Sequence, residues 1–283
     1  ANAVLTFHAY APSTNAQFTH TAGENTFVVT PNSDQDVPAT DIAQHVDLVY
    51  ATATGKKSSN SAGVTLTFSH VESKVIIKLK NDTANLKIPA NKVIIGNVKN
   101  SGTYTMNSTW DITGATNTSY TQSYTGVEYT TAAQAGSDLI LIPQTLTNAD
   151  TYHNGENNAV FDGSYITVDL KIQNNTSPYA YIVGSAESSE GADDNYVTAL
   201  FPLPATTWSA GYKYIYTVDL AGGGYYPTNQ SGTTSALDPI LQGGEIKFVT
   251  VTVDGWSDGV GIDVPSRSQR SQSLAKLQKS DRM

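Results

Sequence analysis

From end to end the chain is a succession of short runs in which apolar and polar residues alternate, separated by pieces rich in Gly, Asn, Ser and Thr. VLTFHAY (4–10), TFVVT (26–30), VTLTF (64–68), KVIIKLK (74–80), KVIIGNV (92–98) and DLILIP (138–143) come first. YITVDLKIQ (165–173), YAYIV (179–183), YVTALF (196–201), GYKYIYTVDL (211–220) and EIKFVTVTVDGW (245–256) follow. A period of two places alternate side chains on opposite faces of a pleated strand, and the intervening NDT, GATNTS, NNTSP, AGGG and LQGG segments are turn chemistry. No long helical pattern lies between the runs. Strands in that order predict antiparallel sandwiches and exclude a doubly wound parallel sheet. One short helical turn is expected over 39–46, and no repeat of fixed period points to a solenoid or propeller.

Composition narrows the function. Hydrophobic residues make up 39% of the 283 and charged residues only 14%, which suits a half-buried pleated surface. No apolar run reaches the roughly 18 residues that a membrane-spanning helix needs. The chain has no cysteine, so disulfides, thiolate catalysis and Cys-based zinc sites are excluded. The net charge of -9 is unevenly spread. Residues 265–283 carry Arg267, Arg270, Lys276, Lys279 and Arg282 against Asp281, leaving 11 lysines against 24 acids in the rest. An acidic body without arginine is unsuited to phosphate backbones, so nucleic-acid binding is set aside.

The composition break at TGKKSSNSA (54–62) is the expected linker. It divides residues 1–62 from a larger block, 63–264, and residues 265–283 read as a flexible basic tail or an appended, non-native segment. The first residue is Ala with no signal-like segment after it, which reads as a processed or truncated form.

Within VTLTFSHVESKVIIKLKN the apolar phase changes. Val64, Leu66 and Phe68 are even-numbered, whereas Val71, Val75, Ile77 and Leu79 are odd-numbered. One face cannot hold both sets without a one-residue slip, which a bulge or a corner-turning bend supplies. His70 sits at the slip and is expected to be half-buried and bonded to backbone groups freed there. Further on, Gly211 permits a tight turn, after which Tyr212, Tyr214, Tyr216, Val218 and Leu220 share a face. That tyrosine row reads as core packing, with a sugar-stacking platform as the alternative. Trp256 reads as a plug at the end of a sandwich, and Pro143 as a strand end.

These segments resemble the fimbrillin-like family of pilins and pilus accessory subunits. Phe68, His70 and Lys74 in TLTFSHVESKV are similar to the family's Phe-x-His-x-x-x-Lys-Val strand. FHAYAP (7–12), VDLVYATATG (46–55), LILIPQTL (139–146), WSAGYKYIYTVDL (208–220, with Trp208 and Gly211) and VTVDGWSDG (251–259) resemble other family segments in the family's order. The resemblance implies an all-β chain of two transthyretin-like antiparallel sandwich domains, the first incomplete here. It also implies a structural, accessory or tip subunit of a cell-surface fimbria at the outer membrane, processed at its N-terminal side and assembled with other pilus subunits by β-strand exchange. In the resembled pilins an arginine-specific protease does the processing, and a body free of arginine from residue 1 to 264 would survive it. The region after Trp256 is the candidate donor, although its polar sequence lacks the alternation of a good donor strand. Partners would include a host or bacterial surface receptor or glycan. Asp82-Thr83-Ala84 resembles a short O-glycosylation signal of these bacteria, making Thr83 a candidate acceptor.

Patterns for an enzyme are missing. There is no Gly-x-Ser-x-Gly elbow, Walker loop, Gly-x-Gly-x-x-Gly, His-Glu-x-x-His or EF-hand. The histidines at 8, 20, 45, 70 and 153 lack ligand spacing, although His8 and His70 could approach across strands. Glu187, Glu190, Asp193 and Asp194 match no calcium motif and read as a solvated loop. Asn-x-Ser/Thr triplets begin at Asn81, Asn107, Asn117, Asn174, Asn175 and Asn229 and reflect an Asn/Thr-rich composition. No catalytic residue, metal or cofactor is predicted. The alternative to a fimbrial subunit is a monomeric, surface-anchored glycan-binding protein that stacks sugars on its tyrosine-rich strands.

Overall fold

The structure, a computed structural model, describes residues 3–12, 18–20, 26–29, 47–60, 62–106, 108–148, 152–155, 158–185, 195–227, 237–241 and 249–256. The described residues are almost wholly β. Their helical content is a 3-10 turn, Leu220–Gly222, capped by Asp219, whose carboxylate accepts the Ala221 N–H at 3.0 Å. The helical turn expected over 39–46 lies outside the described residues.

The main body is built from two sheets that share one core. One has the order Asn117–Glu128, Pro89–Lys99, Tyr165–Leu170, Val197–Pro202; the other has Ala133–Gln134, Ser73–Lys80, Tyr212–Asp219, Thr250–Gly255, with Leu139–Leu141 also pairing Ser73–Lys80. Burial along Ser73–Lys80 alternates strictly, so Val75, Ile77 and Leu79 face inward. They meet Val93, Ile95, Ile166, Val168 and Phe201 in the same core. Each such side chain taken from water contributes about 1.5–3 kcal/mol. One pair departs from the antiparallel expectation: Ser73–Lys80 and Tyr212–Asp219 run parallel. A parallel pair needs a long crossover, and here the crossover is the opposite sheet itself.

Two smaller sheets stand at one end. Val4–Ala11 pairs Val49–Lys56, which pairs Ser69–His70; Phe18–His20, Thr26–Val29, Gly102–Thr105 and Trp110–Asp111 form the other. Strands from residues 1–62 therefore pair with segments beyond residue 62. Leu48, Tyr50, Val71 and Tyr104 make a small core there, with Tyr10, Met106 and Trp110 against it.

Sequence and structure part company at two strands. Residues 64–68 keep the expected alternation of exposure but belong to no ladder. Conversely, Asn117–Glu128 is a twelve-residue strand with hardly any aliphatic side chains. It buries Tyr120 and Gln122 instead. The Gln122 amide donates to the Ser137 carbonyl at 3.1 Å and its oxygen accepts the Ser137 N–H. Gly136 lies beneath it at φ +76°, where a Cβ would sit 1.9 Å from the Gln122 oxygen.

Candidate functional site

The phase change in the 64–81 stretch is a corner. Ser69–His70 belongs to the first sheet, paired with Tyr50 and Val49, and Ser73–Lys80 belongs to the main body. Between them Val71 and Glu72 are both buried, which is where the inward phase shifts by one residue. The Val71 N–H donates to the Leu48 carbonyl at 3.1 Å. Glu72 carries its carboxyl into the interior, where it accepts the Leu48 N–H at 3.0 Å. Burial pushes that carboxyl up to about 8, the Leu48 bond pulling it down and the charge of Asp47 raising it further.

His70 is not bonded to freed backbone groups. Its Nδ1 lies 2.7 Å from the Asp47 carboxylate, and its ring stacks on Trp256 with centroids 3.8 Å apart and planes within 6°. Backbone satisfaction is unnecessary because the corner keeps its own bonds to Leu48. The Lys74 ammonium sits 4.8 Å from the Trp256 ring centroid and 3.3 Å from Asp138. Trp256 is buried, and its backbone N–H donates to the Gly211 carbonyl at 2.8 Å. Gly211 in turn donates its N–H to the Glu72 carbonyl at 2.9 Å and holds φ +75°, a conformation that favours glycine. His70, Lys74, Gly211 and Trp256, chosen from separate segments, thus form one knot. Asp47 and Glu72 complete it, and sequence reasoning missed both; the carboxylate within VDL and the one amid apolar residues in HVESKV were the available signals.

His8 and His70 do not come together. His8 Nδ1 meets the Tyr50 hydroxyl at 2.5 Å, while His70 takes Asp47. Their strands bracket Val49–Lys56, so that strand separates them. Among the described residues no group of three or more His, Asp or Glu could hold a metal ion.

The tyrosine row is inside. Tyr214 and Tyr216 are buried, and 47% of Tyr212 is exposed where the row leaves the core. The Tyr214 hydroxyl donates to the Thr207 carbonyl at 2.9 Å and accepts the Ser209 N–H at 2.7 Å. Tyr216 accepts the indole N–H of Trp208 at 2.8 Å, and burial pushes its hydroxyl up to about 12 against that bond. The ring faces needed for sugar stacking are taken up by packing, which corrects the platform alternative at Tyr214 and Tyr216. Phe68 is half-buried beside this corner.

Thr83 is half-buried in a turn, its N–H bonded to the Asn81 side chain at 3.2 Å and its hydroxyl accepting the Asn85 N–H at 3.3 Å. Asn81 and Asn175 donate their side-chain amides to the carbonyls of Leu86 and Ala84. The acidic cluster 187–194, His45, Asn107, Asn229 and the donor region after Trp256 lie outside the described residues. No helix among the described residues is long and apolar enough to cross a membrane.

The outer strand of the first sheet is the other unusual feature. Among the described residues Val4–Ala11 is paired on one side only, from Val4 opposite Lys56 to Ala11 opposite Val49. Its side chains are exposed on both faces at its start, with Val4 at 56%, Leu5 at 58% and Phe7 at 38%. A strand edge with open N–H and C=O groups and apolar side chains is a template for pairing with another strand.

The family described as fimbrillin-like matches residues 1–256. No curated protein matches the chain. Among solved structures it is similar to a fimbrial protein from Bacteroides vulgatus ATCC 8482, at 18% identity over 88% of this chain and 77% of that one, with a TM-score of 0.49. It is also similar to a candidate cell adhesion protein from Bacteroides ovatus ATCC 8483, at 18% identity over 91% and 69%, with a TM-score of 0.47. At these scores neither likeness carries a functional conclusion.

Proposed function

The chain belongs to the fimbrillin-like family, and on that premise we propose that it is a subunit of a cell-surface fimbria that joins its neighbours by β-strand exchange. A stalk, accessory or tip position fits this reading equally, as does a contribution to adhesion through a host or bacterial receptor. The observation that carries the proposal is the start of Val4–Ala11, where Val4, Leu5 and Phe7 are exposed on a strand that pairs on one side only among the described residues. A strand added there gains main-chain hydrogen bonds and covers alternate apolar side chains on both faces. An arginine-free body up to residue 264 is consistent with processing by an arginine-specific protease. The division into residues 1–62, 63–264 and 265–283, the transthyretin-like topology, an outer-membrane location and modification at Thr83 belong to the same proposal.

In this reading Phe68, His70, Lys74, Trp208, Gly211, Tyr214, Tyr216 and Trp256 are structural. His70, Lys74, Gly211 and Trp256 hold the corner that joins the first sheet to the main body, and Trp208, Tyr214 and Tyr216 pack in the main core. The family's role is structural and adhesive, and the chain is not an enzyme.

The test is assembly. Purified protein at rising concentration is expected to form a ladder of oligomers or filaments by size exclusion and electron microscopy. Leu5→Asp and Phe7→Asp should block the ladder while leaving thermal stability nearly unchanged, because both side chains are exposed. A strictly monomeric wild type, or a ladder indifferent to both substitutions, defeats the proposal.

A further inference from the structure

The end of the main body away from the corner carries a bare apolar tip. Ser73–Lys80 runs from the corner to that end, eight residues or about 25 Å. Beyond it, where the Asn81 side chain closes the turn on the Leu86 carbonyl, Leu86–Lys87 pairs Ile172–Asn174, which pairs Tyr181–Val183. Pro178, Tyr179, Ala180, Tyr181 and Ile182 follow one another at the tip of that hairpin. All are exposed, Tyr179 at 59% and Ile182 at 51%. An exposed apolar run of that length is a fault in a sequence unless it has a use.

The tip is held in place. Tyr179 has φ +53°, a region that bulky residues rarely enter. Its N–H donates to the Thr176 carbonyl at 2.8 Å, and its carbonyl accepts the Gln173 side-chain amide at 2.6 Å. The Asn174 N–H donates to the Ala180 carbonyl at 2.9 Å, and the Asn175 N–H ties the tip to the neighbouring turn through the Asn85 carbonyl at 2.8 Å. A register shift between Ile172 and Gln173 leaves Ile182 opposite no residue, so it turns to solvent beside Tyr181. The backbone is thus strained to keep an aromatic ring in water, and strain of this kind gathers where a surface is used.

The molecule therefore has two apolar tips, this one and Val4, Leu5 and Phe7 on the first sheet beyond the corner. Neither Val4–Ala11 nor residues 178–183 contain Asp, Glu, Lys or Arg. The remaining exposed pair on neighbouring strands, Tyr212 and Val253, is guarded by the Lys213–Asp254 ion pair at 3.6 Å. Copies of a chain with a net charge of -9 repel one another, and the repulsion is least where the touching segments carry no charge. A subunit of a linear polymer needs two unlike surfaces that fit each other, because a surface that fits itself closes a dimer.

From the two uncharged apolar tips and the strain that holds one of them out, we infer that the 178–182 tip of one copy packs head to tail on the start of Val4–Ala11 in a second copy. Tyr179, Tyr181 and Ile182 cover Val4, Leu5 and Phe7. The contact is heterologous and repeats without closing, which gives a filament. This inference rests on the fimbrial proposal and names the segment that covers the exposed strand start.

The test uses the same oligomer ladder. Ile182→Asp should raise the protein concentration needed for a given ladder about tenfold or more, as Leu5→Asp does, with melting unchanged at an exposed position. Tyr179→Gly relieves the positive φ while removing the ring. It should melt no lower than the wild type and still shorten the ladder, a pairing of effects that a merely structural tip would not give. Leu5→Asp and Ile182→Asp proteins, each monomeric alone, should form a one-to-one dimer when mixed and nothing longer, because the mixture keeps one intact surface of each kind. A ladder broken by Leu5→Asp but indifferent to Ile182→Asp and Tyr179→Gly overturns the inference and leaves the fimbrial proposal standing. So does a mixture that stays monomeric, or a Leu5→Asp protein that dimerises by itself through a symmetric tip contact. A wild type that is strictly monomeric defeats both.

Discussion

Replacing Glu72 by glutamine should stabilise the protein at neutral pH. The carboxyl is 2% exposed and accepts the Leu48 N–H at 3.0 Å. Burial raises it from 4.5 to about 8. Between those values the folded chain holds a proton that the unfolded chain has released. Stability therefore falls as pH rises through that window and levels off above about 8. At pH 7 about 2.5 pH units of the gap have been crossed, which at 1.36 kcal/mol per unit costs roughly 3 kcal/mol. At pH 5 the cost is under about 1 kcal/mol by the same relation. Glutamine has nearly the shape of the protonated acid, keeps an acceptor for Leu48 and does not titrate. Urea unfolding of both proteins at pH 5, 7 and 9 measures the difference. The variant's advantage should be small at pH 5, reach ~3 kcal/mol at pH 7 and be at least as large at pH 9. Parallel pH profiles, or a variant no more stable than the wild type at pH 7, would refute the reasoning.

Trp256→Ala removes a buried ring that stacks on His70 and lies under Lys74; a loss of about 3–5 kcal/mol is expected by thermal or chemical unfolding. Hydrogen exchange should also speed up along Thr250–Gly255, the edge strand that Trp256 ends. His70→Gln forfeits the Asp47 pair and the indole stack, for about 1–2 kcal/mol, and leaves oligomer formation intact; a fully stable variant that no longer assembles would contradict a structural role. Gly96→Ala drives a Cβ to 2.3 Å from the Tyr165 ring, so melting should fall by an amount typical of core overpacking, about 1–3 kcal/mol.

Much of the core was legible because alternation is a local property. Val75, Ile77 and Leu79 declare their inward face within one strand, and the same count places the slip at His70, next to the buried Val71 and Glu72 where the structure has it. Gly211 was legible for a related reason: a positive φ is a constraint on one residue. Asn117–Glu128 escaped notice because its inward positions hold Tyr120 and Gln122, so no aliphatic period marks it. Gln122 is tolerable inside only because Ser137, on another segment, supplies both its bonds.

The sequence by itself determined an all-β chain, the places where inward faces begin and change, and a body poor in charge. Tertiary structure alone decided which groups meet. Asp47, His70 and Trp256 are far apart along the chain, and their contact depends on how three strands are ordered in two sheets. The tyrosine row could have faced sugar or core from its spacing, and the packing of Tyr214 and Tyr216 into the core shared with the opposite sheet put it inside. Periodicity is written residue by residue, whereas partners are chosen by the packing of distant segments, and the sites of interest here are made of partners.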